Sequence, residues 1–132
     1  MPRIDDSVPD DETPDPAWRA KDKRHYVTTP PEITDFIFES VNHLIQEHFG
    51  QDMDEPNVTI LDPFVGKAEM LRRAPTTKAK LQGVEIIKSR AEAAQKVMGP
   101  RAKIIWADTL EALRPDTDLD ELYRKQQEED KQ

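Results

Sequence analysis

The sequence contains no cysteine. Disulfides, a thiol nucleophile and a thiolate metal site are all excluded by that absence. Aromatic residues make up only 6% of the chain, so a core built on rings is not on offer. The longest uninterrupted apolar runs are three or four residues, against the roughly 20 that a membrane-spanning helix needs. No basic and then apolar leader opens the sequence, so secretion is not expected. A soluble, cytoplasmic protein with no membrane partner is the class that remains. At 132 residues it has the length of one domain.

Charge and proline are what the chain has in quantity: 27 acids against 19 bases, a net charge of -8, and 11 prolines. The charge sits at the ends. Residues 1–16 carry -5 and residues 115–132 carry -4, which leaves +1 for the middle out of the total of -8. An acidic pI that belongs to the tails does not exclude nucleic-acid binding by the centre. Residues 1–23 read as a disordered acidic, proline-rich arm with a short basic segment; the basic cluster Lys21, Lys23, Arg24 and His25 spans its boundary with the folded unit. That basic cluster is a solvated linker or a phosphate contact. Residues 115–132 read as a disordered, charged tail without a core face, and residues 24–114 as the folded unit.

Within that unit the local signals are regular. Thr29 at the N-cap, Pro30 at the first helical position and Glu32 three residues beyond Thr29 predict a helix start with a capping box. Ile33, Phe36, Ile37, Val41, Leu44, Ile45 and Phe49 follow at helical spacing, and Gly50 supplies the stop. His43 and His48 lie five apart, which puts them on different faces and argues against a metal pair. Residues 58–61 predict a strand ending at Asp62-Pro63, residues 67–74 a helix, and residues 81–86 a second strand. A second helix over 88–98 closes at Gly99-Pro100. A third strand is predicted over 103–107, where Trp106 reads as core, and a short helical turn over 108–113. Helix followed by β-α-β-α-β implies a parallel half sheet with right-handed crossovers, a partial Rossmann-like α/β fold.

In such folds ligands sit outside the carboxyl ends of the strands. Asp62, Glu85 and Asp108 fall there. Glu85 follows Asp62 by 23 residues, near the spacing at which an acid meets ribose hydroxyls. Each has an ordinary reading too: Asp62 as a strand end, Glu85 as an exposed acid, and Asp108 as the N-cap of the next turn with Glu111 completing a box.

The stretch Val58-Thr59-Ile60-Leu61-Asp62-Pro63-Phe64-Val65-Gly66 resembles the first cofactor motif of the S-adenosylmethionine-dependent, N-6 adenine-specific DNA methyltransferases. Thr29-Pro30-Pro31-Glu32 resembles the Thr-Pro motif that precedes it. Gly83-Val84-Glu85-Ile86 is similar to the second motif, and Ile104-Ile105-Trp106-Ala107-Asp108-Thr109-Leu110 to the third. The resemblance covers residues 24–113 and is closest to the methylase regions of restriction–modification enzymes. It implies that Thr29 and Pro30 border the methionine part of S-adenosyl-L-methionine. It places Asp62, Pro63, Phe64 and Gly66 in the loop beneath the cofactor, Glu85 on the ribose, Ile86 against the adenine ring and Asp108 at its amino group.

Two departures limit what the resemblance implies. Ala68 stands where the family has a second glycine, and Glu69 adds charge beside it. Both weaken the methionine end, so cofactor binding is expected to be weak or lost. The family's catalytic Asp/Asn-Pro-Pro-aromatic motif is absent, so this chain alone is expected to be inactive. The expectation is a cofactor-binding segment of a DNA adenine methyltransferase, with DNA as partner in the intact enzyme and a separate catalytic or restriction subunit. The alternatives are a non-catalytic relic that binds a partner protein, and a weak S-adenosylmethionine or nucleoside sensor. A sheet that ends after three strands leaves an open edge, so self-association or marginal folding is also expected.

Overall fold

The computed structural model describes residues 28–131. The N-terminal arm expected over 1–23, with its basic cluster, lies outside the described residues. The fold opens with helix α1, Pro31–Phe49. Its N-cap is Pro30, not Thr29, and no side chain caps it. The cause is Pro31. A residue preceding proline is pushed into extended backbone, and Pro30 has φ -57° and ψ 143°. Its carbonyl accepts from the amides of Ile33 and Thr34, so Pro31 takes the first helical position and the capping box does not form. At the other end Gly50 adopts φ 59° and its amide closes on the Gln46 carbonyl, as the sequence predicts.

Three parallel strands follow: β1, Thr59–Asp62; β2, Lys80–Glu85; and β3, Ala102–Trp106. They lie in the order β1-β2-β3, with Ile60 beside Leu81 and Gly83 beside Ile104. Between β2 and β3 runs α2, Lys88–Met98, with the predicted bounds. Between β1 and β2 the expected helix over 67–74 shrinks to a 3-10 turn, Leu71–Arg73. Positive φ at Gly66 (57°) and Ala68 (71°) turns the chain there and prevents an earlier start. After β3 comes the short helix α3, Thr109–Ala112.

The segment expected to be a charged tail is corrected by the structure. Leu119–Asp130 forms a helix, α4, N-capped by Asp118 through the amides of Asp120 and Glu121. Leu119, Leu122 and Tyr123 pack on Val84, Ile105, Ala107 and Ala112. The opposite face of the sheet is covered by α1 and α2, around Phe38, Leu71, Leu81, Ala94 and Ile104. Strand alternation accounts for the split: Ile60 and Ile104 turn to one face, Leu61 and Ile105 to the other. The result is helices on both faces of a parallel sheet.

The two sheet edges are finished differently. On the β3 edge, Gln95 of α2 accepts from the Ile104 amide (3.0 Å) and donates to the Ala102 carbonyl (2.9 Å). Gln126 of α4 accepts from the Trp106 amide (3.1 Å) and donates to its carbonyl (2.8 Å). Two side-chain amides thus do what a neighbouring strand would do. On β1, among the described residues, only β2 pairs with the strand.

Candidate functional site

At the end of β1, Pro63 removes a ladder donor and the chain leaves the sheet. Asp62 fixes the exit: its Oδ1 accepts from the Phe64 amide at 3.0 Å. The chain then doubles back onto β2, where the Val65 amide donates to the Val84 carbonyl at 3.0 Å. This approach requires Gly83. A Cβ built there would lie 2.7 Å from the Val65 Cβ, closer than real side chains pack. Glycine inside a strand marks such close backbone approach.

The approach delivers Gly66 to Glu85. The Gly66 amide donates to Glu85 Oε1 at 3.1 Å, and the Ile87 amide to Oε2 at 2.7 Å. Glu85 is buried. Desolvation raises its pKa, opposed in part by the Ile87 amide and the charge of Arg90. Asp62 is raised by the same cause and held down in part by the Phe64 amide. A carboxylate offers about four lone-pair positions on two oxygens, so Glu85 retains acceptor capacity beyond its two loop contacts.

The end of β3 joins the group. The Ala107 amide donates to the Glu85 carbonyl at 2.9 Å, and Thr109 Oγ1 donates to the Pro63 carbonyl. Asp108 caps α3, accepting from Leu110 N at 3.0 Å, while Glu111 pairs with Arg114 in place of closing a box. Asp62 and Glu85 therefore end β1 and β2, and Asp108 follows β3, at three strand ends whose chain segments are hydrogen-bonded to one another. Phe64 stands beside them 74% exposed. Ile86 is half-buried, and its carbonyl accepts from Trp106 Nε1 at 2.9 Å.

Thr29 and Pro30 are not brought into this group by any hydrogen bond of the described residues. Their helix is tied elsewhere, through a bidentate pair of Asp35 with Arg73 at 2.8 and 2.6 Å. An apolar concavity beside α1 is also separate. A groove of about 370 Å³ lies between α1 and β1, lined by Ile37, Val41, Val58, Ile60 and Met70; it reaches Asp62 and Pro63 but neither Glu85 nor Asp108. Sequence reasoning missed Thr109 and the role of Gly83, although an isolated glycine in a strand pattern was the available signal for the second.

At Ala68 the loop takes φ 71° with the side chain fully buried. That is left-handed backbone, which favours glycine and costs an L side chain roughly 1–2 kcal/mol. Ala68 N donates to the Val65 carbonyl at 2.9 Å, holding the turn closed.

No protein-family model and no curated protein matches the sequence. Among solved structures the fold is similar to part of a nuclease-deletion mutant of the Type ISP restriction-modification enzyme LlaGI in complex with a DNA substrate mimic. The TM-score is 0.56 at 24% sequence identity, over 78% of this chain and 12% of that one. This chain thus corresponds to a small part of that enzyme's length, and at this identity the likeness is one of fold: a segment of α/β architecture that also occurs in a restriction–modification enzyme.

Proposed function

We propose that this chain is the S-adenosylmethionine-binding segment of a DNA adenine-N6 methyltransferase, with the catalytic Asp/Asn-Pro-Pro-aromatic motif supplied by another part or another polypeptide. The observation that carries this reading is the position of Asp62, Glu85 and Asp108 at or just after the ends of three strands that are hydrogen-bonded to one another, the region where folds of this class hold nucleotides. The fold it shares with a restriction–modification enzyme supports it. Glu85 would accept the ribose hydroxyls on its remaining lone pairs, Asp108 would meet the adenine amino group, and Ile86 and Phe64 would flank the ring. When bound, the cofactor supplies a methyl group activated on sulfur.

The methionine end fits less well. Ala68 fills the loop with a methyl in strained backbone, and Glu69 adds negative charge next to it. Binding is therefore expected to be weak and biased toward the nucleoside. Titration calorimetry with S-adenosylmethionine and with adenosine tests this on the parent chain, Glu85→Ala, and Ala68→Gly with Glu69→Thr. Loss of two hydrogen bonds to a charged group, at about 1.5–3 kcal/mol each, abolishes binding in Glu85→Ala, and the double variant tightens S-adenosylmethionine. Absence of heat with all three folded proteins would remove the cofactor reading. A non-catalytic interaction module would then stand ahead, a reading favoured by the exposed apolar face of α1.

A further inference from the structure

Helix α1 buries one stripe and leaves a second. Thr34 and Phe38 are buried, whereas Ile33, Ile37, Val41 and Leu44 are exposed by 50, 38, 40 and 51%. The exposed four recur at four, four and three residues, a continuous strip along one side of the helix. No charge falls on it; Glu32, Asp35, Glu39 and Glu47 lie on the other sides. The groove floored by Val58 and Ile60 runs between this strip and β1.

The strand edge next to the groove is self-complementary. The Val58 carbonyl accepts from Lys80 N, so the alternation of a parallel ladder turns the amides and carbonyls of Thr59 and Leu61 away from β2. An antiparallel copy centred on Ile60 would set Thr59 opposite Leu61 twice, giving four hydrogen bonds about a two-fold axis. The same axis, normal to the sheet, brings the second α1 onto the same face, strip against strip. With Phe36 at its flank, the strip offers on the order of 450 Å² of apolar surface per copy, and the strand edge and groove walls bring this toward the roughly 800 Å² per partner of a stable dimer.

We infer that the occupant of this surface is a second copy of the chain, joined edge to edge through β1 and packed through α1. The assembly closes at two, because the other edge of each sheet is already capped by Gln95 and Gln126. An unsealed β3 edge would permit an open series. The inference stands on the edges and the helix strip, and does not require cofactor binding.

Sedimentation velocity across a concentration series tests it on the 132-residue chain. The expected result is a monomer–dimer equilibrium with no larger species. Thr59→Pro, which removes an outward amide at an exposed edge position, and Val41→Glu, which charges the strip, each raise the dimer dissociation constant at least about tenfold while the far-ultraviolet circular dichroism is kept. A monomer at all concentrations would overturn the proposal. So would a series that continues past two, or a dimer unaffected by both substitutions in folded protein.

Discussion

Two small residues govern the loop under the strand ends. Gly83 gives Val65 room, and the 2.7 Å that a Cβ would leave cannot be absorbed by a side chain packed on both sides. Gly83→Ala is expected to cost about 1–3 kcal/mol, read as a lower urea midpoint at unchanged slope. Ala68 acts in the opposite sense. Ala68→Gly relieves left-handed strain of roughly 1–2 kcal/mol and gives up a buried methyl worth about 0.8 kcal/mol, so the net is near zero to about 1 kcal/mol more stable. A loss above about 1 kcal/mol would show that the strain is not there. Glu85 carries the pH sign. Its pKa is raised above the free value of 4.5 by burial. A raised folded pKa means that its contribution is most favourable below the unfolded pKa and is lost as pH rises through the folded one. Carbon-13 titration of the carboxyl should place the Glu85 midpoint above 4.5, and a midpoint at or below that value would contradict the burial described.

Elements were legible in proportion to how far their signals were local. Helix α2 has its predicted bounds, and each strand lies within one residue of its prediction. The start of α1 shifted because two prolines in a row compete for one position, and Pro31 wins by restricting Pro30. Helix α4 was hidden by composition. Its core face is Leu119, Leu122, Tyr123 and an amide, Gln126, at helical spacing, and no hydropathy pattern credits a glutamine for completing a strand edge. Asp54 was likewise invisible, because its partners lie 23 to 25 residues away. It accepts from the amides of Thr77, Lys78 and Ala79 and pins the loop before β1 to the turn before β2. Those amides, that of Lys78 first, lower its pKa to about 2 from 3.8. The contribution is thus present above 3.8 and lost as pH falls through about 2. In Asp54→Ala the acid limb of a stability-against-pH curve should flatten over that window, and an unchanged limb would argue against the staple.

For the molecule as a whole, the parallel half sheet could be read from strand order, and with it the position of Asp62, Glu85 and Asp108 at or just after the three strand ends. The remainder could not. Which groups join the three ends depends on Val65 lying over Gly83 and on Thr109 reaching Pro63, contacts between segments 18 and 46 residues apart. Thr29 and Pro30 match a motif in sequence, yet α1 is anchored through Asp35 and Arg73, and no hydrogen bond among the described residues carries them to the strand ends. The central claim is that the strand ends form one nucleoside site. Amide nitrogen–proton correlation spectra of the labelled chain, recorded as adenosine is added, test it most directly. Saturable shifts should appear together at Gly66, Ile86, Ile87 and Thr109, and vanish in Glu85→Ala. Shifts confined to Ile37, Val41 and Ile60, in the groove on the far side of β1, would contradict it, as would a folded protein whose spectrum does not change.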